Sequence, residues 1–252
     1  MFKKAIPTIA IIAVIAVGFI WNQASISPPA DTSVRSMDPV RLAPNWDAIA
    51  SWPPGAGDGG TAQSNPDPLQ VTTLIILDDS GSMSEQMVAA KQAVVDAVAQ
   101  FPSDNRVGVL ALNGGMILPV TTAGEAASRL ATQLDPIQAK GGTPLGARLT
   151  EAAGLLTSEA QSRRGFGTFR ILVTTDGAAT DDIVMNDAVA SILSTTPIEL
   201  ATIGLGIGEG HALNVPGYTD YVSIGSVGEL ANALQAAAAE QTVFQPITKF
   251  ED

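Results

Sequence analysis

The sequence predicts an α/β protein built on a mainly parallel sheet with helices on both of its faces. Short apolar, β-branched runs alternate from about residue 70 onward with longer segments of helical periodicity. The runs are apolar at every position rather than at alternate ones, as strands buried on both sides are. They are also of strand length and are bounded by Gly, Asn and Asp, whereas the segments between them are long enough to be helices.

Ahead of the alternation lie two different regions. Lys3 and Lys4 precede a run from Ala5 to Trp21 without a charge, which as a helix spans roughly 26 Å, near the lower limit for crossing a bilayer. Residues 1–22 are therefore expected to be a transmembrane signal anchor of the cytoplasmic (inner) membrane. The two lysines stay inside and the remainder lies in the periplasm or exterior. A cleaved signal peptide shares the basic start and the apolar core and is the competing reading. Residues 23–69 are rich in Pro, Gly, Ser and Asp and read as a linker. One island in it, "APNWDAIASWPP", puts Trp46, Ile49 and Trp52 at helical spacing, which predicts about two turns of helix docked on the domain or on a partner.

The domain itself is expected over 70–245, with a tail at 246–252. "VTTLIILD" (71–78) is a buried strand and 83–101 the helix after it. "RVGVLALN" (106–113) and "MILPV" (116–120) are strands close enough to form a hairpin. Helical patterns cover 123–134 and 144–161. "FRILVTTD" (169–176) is a third buried strand, 182–195 a helix and "IELATIGLG" (198–206) a further strand. "DYVSI" and a last helix over 227–240 close the pattern.

Composition removes several functions. A net charge of −12 is wrong for a nucleic-acid partner. The chain has no cysteine and one histidine, His211, so thiolate chemistry, multi-histidine metal sites and Ser/His/Asp catalysis lack raw material. His211 reads as an ordinary surface residue. "GLGIGEG" is not a dinucleotide loop, because Glu209 stands where the third glycine is needed. A phosphotransferase with an aspartate nucleophile at Asp78 would want a second aspartate two residues on, where this chain has Ser80. No enzyme activity is expected.

What remains is oxygen chemistry. Open α/β sheets bind ligands beyond the carboxyl ends of their strands, where this chain carries "DDSGS" after the first strand and "TDG" after the third buried one. "KGGTPLG" (140–146) opens a helix between them. Asp78, Ser80, Ser82, Thr143 and Asp176 can thus converge as two carboxylates and three hydroxyls, a donor set suited to a hard divalent cation such as Mg2+. Taken singly, Ser82 and Thr143 are equally good helix caps, and "TDG" is an ordinary turn.

These residues resemble the von Willebrand factor type A family, the domain also found inserted in integrins. Its metal-ion-dependent adhesion site runs D-x-S-x-S, then a Thr in a G-G-T-P-like loop, then an Asp commonly followed by Gly. "DDSGS", "GGTP" and "TDG" supply each element in chain order. The resemblance, which covers about 70–243, implies a doubly wound sheet with one antiparallel edge strand and a bound Mg2+ or Mn2+ held by Asp78, Ser80, Ser82, Thr143 and Asp176. It also implies a protein partner whose Asp or Glu carboxylate completes the metal shell. Thr143 and Asp79 are the positions expected to meet that partner. The expected function is that of a membrane-anchored, outward-facing binding module, and the alternative is a structural scaffold in an envelope assembly.

Overall fold

The computed structural model describes residues 42–55 and 66–239. The expected anchor (1–22), most of the linker and the tail lie outside the described residues, and no helix among those described is long and apolar enough to cross a membrane.

Six strands form one sheet: β1 (Val71–Leu77), β2 (Arg106–Ala111), β3 (Gly115–Thr122), β4 (Thr168–Thr175), β5 (Glu199–Leu205) and β6 (Asp220–Ile224). Their order is β3-β2-β1-β4-β5-β6, with only β3 antiparallel to its neighbour. This is the expected α/β class, doubly wound with one antiparallel edge strand. β3 can carry Pro119 because an edge strand need not donate from every amide.

The continuous apolar runs are accounted for by two cores. Along β1, Ile75 and Leu77 point to one face and Leu74 and Ile76 to the other, all fully buried. The first face is covered by α2 (Met87–Val98), α3 (Ala123–Leu134) and α6 (Leu230–Ala239), through side chains such as Val94, Leu130 and Leu234. The second is covered by α4 (Leu145–Ser162) and α5 (Asp182–Thr195), through Leu149, Leu156 and Val189. Alternation along a strand sends successive side chains to opposite faces, so a strand between two helical layers must be apolar throughout.

The tryptophan island belongs to the domain. Its helix α1 (Trp46–Ala50) is a single turn capped by Asn45, whose side chain accepts from Ala48 N at 3.1 Å. Leu42 is buried in the second core, and the Trp52 ring meets Phe169 edge to face at 5.2 Å between centroids. The Asn45 amide donates to Ser194 O at 2.7 Å and Gln161 Nε2 to Pro54 O at 2.7 Å. The folded unit therefore begins before the expected boundary at 70. Periodicity pointed to the helix and its docking, but not to the earlier boundary, because a one-turn helix and its flanks bury too few residues to read as part of the core.

β1 is the point where strand order reverses, since the chain leaves it toward β2 on one side and returns as β4 on the other. Asp78 follows β1 and Asp176 follows β4, so both stand at the mouth of the crevice that such a reversal opens.

Candidate metal centre

The first loop leaves β1 as Asp78-Asp79-Ser80 and turns into a short 3-10 helix over Gly81–Glu85, held down by the buried Met83. The long helix expected from 83 thus starts only at Met87. Asp78 is fully buried. Its Oδ1 accepts from Ser80 N at 2.8 Å, and its Oδ2 accepts from Thr175 Oγ1 at 2.8 Å and Asp176 N at 3.3 Å. Asp78 therefore ties the ends of β1 and β4 together and fixes the loop that carries Ser80.

Three of the expected donors touch. Ser80 Oγ and Ser82 Oγ are 3.0 Å apart, and Ser82 Oγ donates to Asp176 Oδ1 at 2.7 Å. Oxygens on adjacent corners of an octahedron with bonds of about 2.1 Å lie about 3 Å apart. The spacing and the all-oxygen chemistry of this set therefore fit a small hard cation. The Asp176 carboxyl is pushed up by burial and, to a lesser degree, by the charge of Asp78, against the opposing hydrogen bonds from Ser82 and its own amide. A cation would reverse that penalty. Among the described residues no three of His, Cys, Asp and Glu cluster, so hydroxyls are essential to this donor set.

Thr143 reaches the same edge by a different route. Gly81 N donates to Gly141 O at 3.1 Å and Lys140 N to Asp79 O at 2.7 Å, which laces the 140–143 loop to the first loop. Thr180 N donates to Thr143 O at 3.0 Å. Among the described residues the Thr143 hydroxyl makes no hydrogen bond, to the other donors or to anything else. It does not cap α4, whose first helical residue is Leu145 and whose cap position is Pro144. The open amides of that helix are met instead by Asp181, with Gly146 N at 3.0 Å on Oδ1 and Ala147 N at 2.9 Å on Oδ2. Capping of α4 from a distant segment leaves Thr143 free of the local role it could have had, while Ser82 lies inside the 3-10 helix and the cap position of α2 is Gln86.

Asp79 does not face a partner. It is fully buried, and its carboxylate accepts from Asn113 N at 2.6 Å, Asn113 Nδ2 at 3.2 Å and Gly114 N at 2.9 Å. An anion leaving water this completely needs such donors, and they come from the β2–β3 turn, which the local sequence did not point to. His211 is likewise not a plain surface residue. Leu213 N donates to its Nδ1 at 3.1 Å, so Nε2 carries the proton and donates to Gly177 O at 3.0 Å, one residue beyond Asp176. Tyr221 stacks on the ring at 6.2 Å between centroids. Thr175, Asn113 and Asp181 also support the site and were not expected. The one signal available was the Asn-Gly-Gly of a turn at a strand's end.

Burial holds the His211 ring below its ordinary 6.5, only partly offset by the Gly177 carbonyl. A histidine depressed in the folded state contributes its full stability above the unfolded value and loses it as pH falls through the window below 6.5. His211→Gln should therefore flatten the drop in melting temperature between pH 7.5 and 5.5. An identical drop in variant and wild type would show that the ring is not held neutral.

Residues 73–178, from β1 to just past β4, match the family model of the von Willebrand factor type A domain, and the α/β fold is similar to that of solved structures of this kind. No match is found among curated proteins. Among solved structures, the von Willebrand factor type A protein from Catenulispora acidiphila is 20% identical with a TM-score of 0.57, over 68% of this chain and 42% of that one. BatB, a conserved hypothetical protein from Bacteroides thetaiotaomicron, is 19% identical with a TM-score of 0.52, over 68% of this chain and all of that one (100%). The manganese-loaded TRAP protein of Plasmodium vivax is 16% identical with a TM-score of 0.50, over 68% and 74%. The chain thus spans less than half the length of the Catenulispora protein, and likenesses at these identities establish the fold alone.

Proposed function

We propose that this protein is a membrane-anchored, outward-facing binding module that takes up one Mg2+ or Mn2+ between its β1, β4 and 140–143 loops and uses it to capture an acidic group of a protein partner. The observation that carries the reading is the chain of oxygens Ser80, Ser82 and Asp176, with O···O distances of 3.0 and 2.7 Å at the mouth of the strand reversal. Ser80, Ser82 and Asp176 would hold the ion directly or through water, with Asp78 orienting the loops beneath them. Thr143, whose hydroxyl has no hydrogen-bond partner among the described residues, would complete the set from the second loop. A bound divalent ion supplies the positive charge that a partner's Asp or Glu carboxylate needs in order to approach a chain of net charge −12. That the Plasmodium neighbour is manganese-loaded supports the same class of ion. Membrane anchoring rests on Lys3, Lys4 and the uncharged run after them.

The test is a capture experiment with the full-length chain solubilised from membranes, run in parallel with Mg2+ and with chelator. A partner is retained in Mg2+ and lost in chelator, and Thr143→Ala loses most of the capture. Capture undiminished in chelator would replace this reading with that of an envelope scaffold. Recovery of the full-length chain in the soluble fraction would remove the anchor.

A further inference from the structure

Asp79 and Asn113 form a connection that neither the sequence pattern nor the donor set requires. The Asp79 carboxylate is enclosed by donors of the β2–β3 turn, while its backbone oxygen accepts from Lys140 N at 2.7 Å. Asn113 Nδ2 is shared between Asp79 Oδ1 at 3.2 Å and Gly142 O at 2.9 Å, the carbonyl immediately before Thr143. The fit around this amide is close. Gly141 has φ +75°, and a Cβ there would sit 2.5 Å from Asn113 Oδ1; a Cβ on Gly114 would sit 3.3 Å from Asp79 Oδ2. Two glycines thus let three loops close on one side chain.

We propose that Asn113, seated on Asp79, is a positioning residue for the metal site: it sets the height of the 140–143 loop and, through Gly142 O, the distance of the Thr143 hydroxyl from Ser80 and Ser82. It touches no donor itself, so its effect on the ion passes through Thr143. The inference rests on the metal reading above and adds to it a part played by the edge hairpin. Supports that orient metal ligands from outside the shell change affinity by about 10- to 100-fold when lost, and Asn113 acts at the residue next to Thr143.

The experiment is titration of the full-length protein with Mn2+, free Mn2+ being read by its paramagnetic resonance, for the wild type, Asn113→Ala, Thr143→Ala and the double variant. Asn113→Ala leaves Asp79 its two backbone donors, so the metal-free melting temperature should stay close to that of the wild type. Its Mn2+ dissociation constant should rise about tenfold, and water-proton relaxation by the bound Mn2+ should increase as water enters the place Thr143 vacates. The double variant should bind no more weakly than Thr143→Ala alone, because residues acting through one contact are not additive. Affinity of Asn113→Ala within twofold of the wild type, or additive losses in the double variant, would overturn the proposal and leave the metal site standing. Absence of Mn2+ binding by the wild type would overturn both. If Asn113→Ala does not fold, Asn113→Ser is the substitute, since its hydroxyl is too short to reach Gly142 O; amide exchange at Lys140 in the metal-free protein then reads the loop directly and should be faster than in the wild type. Unchanged exchange there overturns the proposal.

Discussion

Mg2+ at a hundred times its dissociation constant should raise the melting temperature of the wild-type protein by about 5 to 10 °C. A ligand that binds only the folded state contributes about 2.7 kcal/mol at that excess, and a domain of this size gains about 2 to 4 °C per kcal/mol. Asp176→Asn should abolish the shift, since it removes a charged donor while keeping an oxygen for the Ser82 hydroxyl to meet. The same variant should melt no lower than the wild type in chelator. The Asp176 carboxyl is raised in the folded state by burial and by Asp78, so its charged form opposes folding as pH rises through that raised value, and the neutral amide is free of this opposition. An equal Mg2+ shift in both proteins would remove Asp176 from the site. Asp78→Ala is a poorer probe: it strands the buried Ser80 amide and the half-buried Asp176 amide, while the Thr175 hydroxyl keeps only Gly177 O, at about 1 to 3 kcal/mol for each group left unpaired.

A chain beginning at Asp67 should melt about 8 to 16 °C below one beginning at Val34. The shorter chain lacks Leu42, which is 3% exposed, the Trp52 ring on Phe169, and the two hydrogen bonds that fasten this segment to α4 and α5. Deleting a buried leucine costs about 2 to 5 kcal/mol and a packed tryptophan about 3 to 5. Taken conservatively, because Trp52 is only half-buried, the sum is of the order of about 4 kcal/mol, a large part of the 5 to 15 kcal/mol that holds a typical domain together. Melting of the two chains within 2 °C of each other would show that the island merely rests on the domain, as a linker would.

Much of the fold was legible because its signals are local. The wholly apolar stretch Leu74–Leu77 cannot be stable unless covered on both faces, and the helices that cover it announce themselves by period. The order of "DDSGS", "GGTP" and "TDG" at loop positions likewise places five oxygen-bearing residues on one edge of a parallel sheet before any coordinate is known. The supports of those residues carry no such signal. Asp79 and Asp181 look like solvated loop acids, and His211 looks like a surface histidine, because what surrounds them arrives from segments some 34 or 35 positions away.

By itself, then, the sequence determined the α/β class and the layering of the sheet, which follow from side-chain chemistry repeated at short range, and it nominated the candidate donors by the order of their loop motifs. The tertiary structure decided which of those donors touch, that Ser82 meets Ser80 and Asp176 rather than a helix end, and that Asp181 caps α4 and so leaves the Thr143 hydroxyl open. It also decided that Asp79 is enclosed, that Leu42 belongs to the core and that Trp52 packs against it. The physical reason is the same in each case. A buried polar group must find its hydrogen-bond partners wherever the fold brings them, and the choice between two partners of equal local merit is made by the packing of residues far apart in the chain.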